Sequence, residues 1–246
     1  MDGTPLILSF NTATLGGSVC VVRGEQLLAS IFGDASVSHS SSLLRDIARA
    51  LEVAGVSLKE IELLAAAAGP GSFTGLRIGV ASIKALATTL KRPCFGIPTL
   101  QAVAHSGGPS KATVAVLPAG RGEVFAQLFS VSSDGLVEER DIPAHLPPRA
   151  MLEKYGNLPA LKWAGEGAQA HQEIIREYAA SKANGFAESP GIAAGWILET
   201  REENLARDIA ALGWQRFQAG QLDGPALLQA IYVRPSDAEL KKNVSQ

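Results

Sequence analysis

The chain has 246 residues, 46% hydrophobic and 19% charged, enough apolar material for a sizeable core in one or two domains. A formal net charge of -2 and a pI near 6.1 argue against autonomous nucleic-acid binding, which usually needs a basic face. They leave room for an assembly in which another subunit supplies the positive charge.

Two cysteines, Cys20 and Cys94, are too few for a disulfide framework or a zinc site, and their apolar surroundings suit buried thiols in a reducing compartment. The N-terminus lacks the basic and apolar regions of a secretion signal, and no run approaches ~18 uninterrupted apolar residues. A cytoplasmic protein that engages no membrane is the expectation.

In chain order, residues 6–10, 18–22 and 26–32 read as three strands joined by tight turns, hence antiparallel neighbours. The first turn, Asn11-Thr12-Ala13-Thr14 with Gly16-Gly17, is rich in small hydroxyl residues. Residues 40–54 form a helix with Leu43, Leu44, Ile47 and Leu51 on one face and Gly55 as C-cap. Ser57-Leu58-Lys59-Glu60 has the form of a capping box.

Residues 65–77, AAAAGPGSFTGLR, are the most informative segment. Four alanines make a strand too small in volume to be an ordinary bulky core strand. A loop with Gly69, Gly71 and Gly75 follows, and then a helix over 73–90 carrying Leu76, Val80, Ile83 and Leu86. Glycines admit positive φ and close approach, and a strand, glycine loop and helix N-terminus aim several amides at one spot, which suits an anion or a partner's backbone. A bare strand-to-helix connector explains the same spacing. Should Gly75 lie at positive φ, valine there would be strained.

Residues 94–97 and 98–105 read as a short strand and a short helix, and Ser106-Gly107-Gly108-Pro109-Ser110 is the best linker. Strand, turn and strand then recur at 112–117, 120–122 and 123–131, which hints at a duplicated fold. Residues 141–188 are loosely patterned, with helices near 149–155 and 169–180. Residues 202–219 form an amphipathic helix with Leu205, Ile209, Leu212, Trp214 and Phe217, and the charged tail from Ile231 lies on the surface or docks on a partner.

No catalytic constellation assembles. His39, His105, His145 and His171 are scattered, without the pair a metalloprotease needs, and each reads as a surface or loop histidine. The glycine loop lacks the lysine of a P-loop, the third glycine of a dinucleotide fingerprint and the spacing of a serine-nucleophile elbow. Phosphoryl transfer in two-domain folds of this kind needs a carboxylate at the end of the first strand of each half, and those positions hold Asn11 and Pro118. The helices over 40–54 and 73–90 carry Ala48, Ala50, Gly79, Ala81, Ala85 and Ala87, small residues that permit close helix packing inside a core or between subunits.

The stretch from Ala68 to Gly79, AGPGSFTGLRIG, closely resembles the signature of the bacterial TsaB (YeaZ) proteins. Residues 6–22, LILSFNTATLGGSVCVV, look like their opening strand pair, whose usual form has Asp-Thr in place of Asn11-Thr12. Arg121-Gly122-Glu123-Val124-Phe125 is similar to the family's second-half turn and strand, with Pro118 where an aspartate is expected upstream. Tyr232-Val233-Arg234-Pro235 with Glu239 resembles its closing Tyr-Leu-Arg segment. The resemblance is strong over 6–104, patchy over 112–130 and 231–239, and nearly silent between.

The resemblance implies an α/β fold of the actin/Hsp70/sugar-kinase type (ASKHA, ribonuclease H-like) with two related βββαβα-type subdomains. These would be residues 1–105, which bind the partner, and 111–246, a degenerate copy. It also implies a non-catalytic partner of TsaD in the complex that forms N6-threonylcarbamoyladenosine in tRNA next to the anticodon, with a TsaE-like ATPase as third member. The chain would hold no cofactor of its own, ATP or ADP and magnesium being on the TsaD-like protein. It would meet tRNA only through the complex and homodimerise when its partner is absent. The alternative is a small-molecule kinase or ATPase of the same fold.

Family members pair through the two helices of the first subdomain. That points to Leu44, Ile47, Ala48 and Leu51 on the first helix, and to Ala81, Lys84 and Ala85 on the second. The family's interface loop brings forward Gly69, Gly71, Ser72, Thr74, Gly75 and Arg77 as contacts to a nucleotide shared between subunits, with no metal ligand and no catalytic residue.

Overall fold

Alternating apolar residues in the first three strands, then a helix stripe, then the alanine strand, fold into one sheet of order β3-β2-β1-β4-β5. The computed structural model describes residues 4–182, 195–199, 204–221 and 224–233. The strands are β1 (Leu6–Asn11), β2 (Ser18–Arg23) and β3 (Gln26–Phe32), antiparallel in sequence, then β4 (Leu63–Gly69) and β5 (Cys94–Pro98), parallel to β1. Helix α1 (His39–Ala54) starts at its Ser38 cap and ends at Gly55 with φ 67°, the left-handed conformation that glycine takes without cost.

Helices α1 and α2 (Phe73–Leu90) cover one face of the sheet, burying Leu6, Leu8, Phe10, Leu43, Ile47, Leu51, Leu64, Ala66, Ile83 and Ala87 together. The short α3 (Thr99–Ser106) follows β5.

The second unit repeats this plan. Strands β6 (Ser110–Gly120), β7 (Glu123–Val131) and β8 (Val137–Glu139) are antiparallel, and β9 (Ala144–Leu146) also pairs with β7. After α4 (Pro148–Tyr155), β10 (Leu161–Ala164) runs parallel to β6; α5 (Glu166–Ala170) and α6 (Gln172–Ser181) precede β11 (Trp196–Leu198), parallel to β10. Read from β8, the order β8-β7-β6-β10-β11 matches β3-β2-β1-β4-β5 strand for strand, with the same sense at every pairing. Trp163 and Trp196 pack at its centre with ring centroids 5.2 Å apart. The buried Lys162 ammonium is held by the carbonyls of Gly107, Gly108 and Pro109 at the start of the unit.

The boundary read from sequence needs one correction. The compact units are Met1–Ser106 with Glu202–Ala230, and Gly107–Arg201 with Ile231–Gln246, so the chain returns to its first unit near the end. The returning helix, α7 (Leu205–Gln218), lies on the sheet face opposite α1 and α2. Ser9 Oγ donates to Ala206 O at 2.6 Å, and a Cβ on Gly213 would stand 2.9 Å from Ala65 Cβ. That closeness explains Ala65, where a larger side chain would hold α7 off, while Ala66, on the opposite face of β4, packs in the core under α1 and α2. His105 Nδ1 to Asp208 Oδ1 at 2.6 Å ties α3 to α7, and Arg216 Nη1 donates to Gly96 O at 3.1 Å.

The α7 face also seals Cys20, whose thiol lies 3.0 Å from Ser9 Oγ and is pushed up to about 12, chiefly by burial. About one thiol in ten thousand is then ionised at pH 8. Iodoacetamide at that pH should leave Cys20 of the folded protein unlabelled and label it fully after denaturation, as read by mass spectrometry; rapid labelling of the native chain would contradict this packing.

The closing residues Arg234, Pro235 and Glu239, the charges Asp237, Lys241 and Lys242, and residues 183–188 of the weakly patterned region lie outside the described residues.

Candidate functional site

The carboxyl ends of β1 and β4 bring the β1–β2 turn against the glycine loop. Asn11, last in β1 and buried, accepts from Ala13 N at 2.9 Å through Oδ1 and donates to Thr14 Oγ1 at 2.7 Å through Nδ2. Both ends of the amide are used, which a carboxylate at this position could not reproduce with the same donors. The turn then leans on the first turns of α2: Thr12 Oγ1 donates to Gly75 O at 2.8 Å, and Ala13 O accepts from Ser72 N at 2.8 Å.

Gly71, Gly75 and Gly79 are glycines because of this contact. A Cβ at Gly71 would overlap Ala13 O, one at Gly75 would overlap Thr12 O, and one at Gly79 would overlap Thr12 Oγ1. Gly75 is helical rather than at positive φ, so its requirement is space rather than backbone conformation.

The loop donors are largely committed within the chain. Gly69 N donates to Thr99 Oγ1 at 3.1 Å, Gly75 N to the Ser72 cap at 3.2 Å, and Ser72 N to Ala13 O. Of the six loop residues singled out by resemblance, Gly69 and Gly75 are buried, while Ser72, Thr74 and Arg77 are exposed and Gly71 is intermediate. The Arg77 guanidinium lies 4.0 Å from the Phe73 ring centroid, one helical turn back. Asn11 supplies no negative charge; Pro118 sits inside β6, opposite Val124, with an exposed ring. Among the described residues no three His, Cys, Asp or Glu side chains gather as metal ligands.

The helix-face residues divide. Leu44 is 67% exposed, and Ala48, Ala81 and Ala85 are exposed with it, while Lys84 is intermediate. Ile47, 4% exposed, and Leu51 belong to the core against the sheet, so neither is available to a partner. The apolar stripe on α1 is Leu43, Ile47, Ala50 and Leu51; Leu44 stands about 100° round the helix from Leu43, and four residues on from it comes Ala48.

Sequence reasoning missed Thr12 and His39. His39 opens α1, donates through Nε2 to Thr14 O at 3.0 Å, and its ring covers Gly17 and Gly75. It is a half-buried clamp rather than a surface group; its place one residue after a Ser N-cap was the only hint. His105 and His145 are also paired, with Asp208 and with Glu123 at 2.7 Å.

A family model described as TsaD, tRNA N6-adenosine threonylcarbamoyltransferase, matches residues 33–181, more than half of the chain. The tRNA threonylcarbamoyladenosine biosynthesis protein TsaB of Escherichia coli strain K12 is 27% identical over 235 residues, 93% of this chain and 94% of that protein. TsaB of Bacillus subtilis strain 168 is 26% identical over 244 residues, 98% of this chain and 99% of that one. The chain is a TsaB (YeaZ)-type member of the TsaD family. YeaZ from Pseudomonas aeruginosa superposes with a TM-score of 0.72 at 22% identity, covering 93% of this chain and 99% of that one. This bears out the fold of two related α/β subdomains expected of a TsaB-type chain. Among the described residues no helix is long and apolar enough to cross a membrane.

Proposed function

We propose that the chain is a non-catalytic subunit that docks on a TsaD-like protein in the pathway forming N6-threonylcarbamoyladenosine in tRNA. One observation carries this reading: the β1–β2 turn fills the amino end of α2, where Ala13 O and Ser72 Oγ accept amides that a nucleotide-using chain would offer to phosphate. With Asn11 bonded internally, the position of the strand-end carboxylate is also spent on structure.

The outward residues Leu44, Ala48, Ala81 and Ala85 supply the docking surface, and the exposed rim of the glycine loop, Ser72, Thr74 and Arg77, lies at its edge. In this reading ATP or ADP and magnesium belong to the TsaD-like partner. A TsaE-like ATPase completes the assembly, tRNA is reached only through it, and two copies of this chain pair when the partner is missing. The setting is the cytoplasm.

Co-expression with a TsaD-like protein of the same host should give a stable complex. Adding the chain to that protein, with the TsaE-like ATPase, ATP and threonylcarbamoyl donor, should raise tRNA modification at least about tenfold, a coupling of about 1.4 kcal/mol. Magnesium-dependent ATP turnover by the isolated chain, or full modification without it, would overturn the reading.

A further inference from the structure

Helix α7 lies on the face of the first sheet opposite α1 and α2, yet Leu228, a short way further along the chain, packs into the cluster on the α1 and α2 side. It reaches that side over β5, the outer strand of the sheet: a Cβ placed on Gly96 would stand 3.2 Å from Leu228 Cγ and 3.1 Å from Ala68 Cβ. Gly96 pairs with Ala66, a core residue on the same side, so the missing side chain of Gly96 is what leaves room for the leucine. The same glycine is held from the α7 side. Arg216 Nη1 donates to its carbonyl oxygen at 3.1 Å, and Nη2 donates to Gln101 Oε1 at 3.1 Å.

Burial along residues 224–230 is uneven. Leu228 is 5% exposed, whereas Leu227 is 73% exposed; Ala226 and Gln229 are also exposed, and Gly224, Pro225 and Ala230 are half-buried. A turn bond from Leu227 N to Gly224 O at 3.0 Å is internal to the segment. Burying one leucine side chain contributes about as much free energy as fixing the backbone of about two residues costs. A segment of this length with one plug is therefore closed by a narrow margin, and its release is a low-energy local opening. An outer strand left bare is a template for pairing with another chain, and folds avoid this by covering it with a helix or loop.

We propose that residues 224–230 are a releasable strap across the outer edge of β5, with Leu228 as its plug. Closed, the strap fills a leucine-sized slot over Gly96 and guards the edge. Open, it uncovers both, so the strap is the intramolecular occupant that keeps this edge from pairing. Helix α7 stays in place in either state, pinned by Arg216 on Gly96 O and by His105 on Asp208. The device stands apart from the partner reading: it requires neither a TsaD-like protein nor nucleotide.

The two cysteines test it in the full chain. Cys94 is buried, stands two residues before Gly96 on the same face of β5 and belongs to the same cluster as Leu228, while Cys20 lies under α7 on the other face. Iodoacetamide labelling at pH 8 is followed for each cysteine by mass spectrometry across low guanidinium chloride concentrations. Cys94 should label faster than Cys20 and with a shallow dependence on denaturant, the mark of an opening that exposes little surface; Cys20 should follow the steep dependence of global unfolding. Leu228→Ala should raise the Cys94 rate at least about tenfold with its shallow slope kept, as expected for truncation of a buried leucine. Leu228→Val should give a smaller rise, and keeps the test decisive if Leu228→Ala fails to fold. Leu227→Ala, at an exposed position, should leave both rates unchanged. Cys94 labelling in step with Cys20 on one steep slope, or an unchanged Cys94 rate in a folded Leu228→Ala or Leu228→Val chain, would overturn the proposal.

Discussion

Replacing Gly75 by valine should lower the melting temperature by about 6–12 °C, the equivalent of about 3 kcal/mol for a chain of this size. The added Cβ would overlap the Thr12 carbonyl oxygen, a backbone atom held by the β1–β2 turn, so no side-chain rotation relieves it. Gly79→Ala should also destabilise, but there the obstacle is Thr12 Oγ1, with the Thr12 Cβ 3.6 Å away in ordinary contact. Thr12→Ala should therefore rescue Gly79→Ala and not Gly75→Val. A double-mutant cycle by thermal or denaturant unfolding should show coupling of about 0.5–3 kcal/mol for the first pair and little for the second. Gly224→Ala, where nothing lies within 4 Å, is the neutral control. Equal tolerance of alanine at 79 with and without Thr12 would refute the packing described here.

The first unit was legible because each signal there is local. Strand alternation, the Ser38 cap, the Gly55 terminus and the glycine loop all act over a few residues, and they placed β1 to β5 and α1 to α3 within a residue or two. The second unit was harder for a physical reason. Strands β8, β9, β10 and β11 are three or four residues long, too short to show a period, and they form because the neighbouring strand offers an edge. The single helix expected near 169–180 is two helices, α5 and α6, meeting at His171. The return of α7 to the first sheet could not be read from amphipathicity, which shows that a helix buries a face but not against what.

The same limit governs the site. The sequence marked the glycines of the loop after β4 and left a ligand, a partner's backbone or a bare connector open as the reason; the close neighbour of Gly71, Gly75 and Gly79 is the chain's own turn through Thr12 and Ala13. On α1, hydrophobicity alone grouped Leu43, Leu44, Ile47 and Leu51. Helical geometry separates Leu44, which points out, from the others, which point in.

That separation makes the partner surface testable. Leu44→Glu and Ala85→Glu place a charge on exposed positions, so unfolding free energy should stay within about 0.5 kcal/mol of wild type. If those positions are covered on docking, each carboxylate is buried without a partner at a cost of about 3–5 kcal/mol, and affinity for a TsaD-like protein should fall by about 100-fold or more. Homodimers, if built on the same face, should dissociate in parallel, as read by sedimentation. Ile47→Glu should do the opposite: it puts the charge into the core beside Leu8 and Ile83 and should unfold the chain rather than merely release its partner. Full-strength complexes with both Leu44→Glu and Ala85→Glu would move the docking surface elsewhere, and a folded Ile47→Glu chain would show that α1 is turned differently on its sheet.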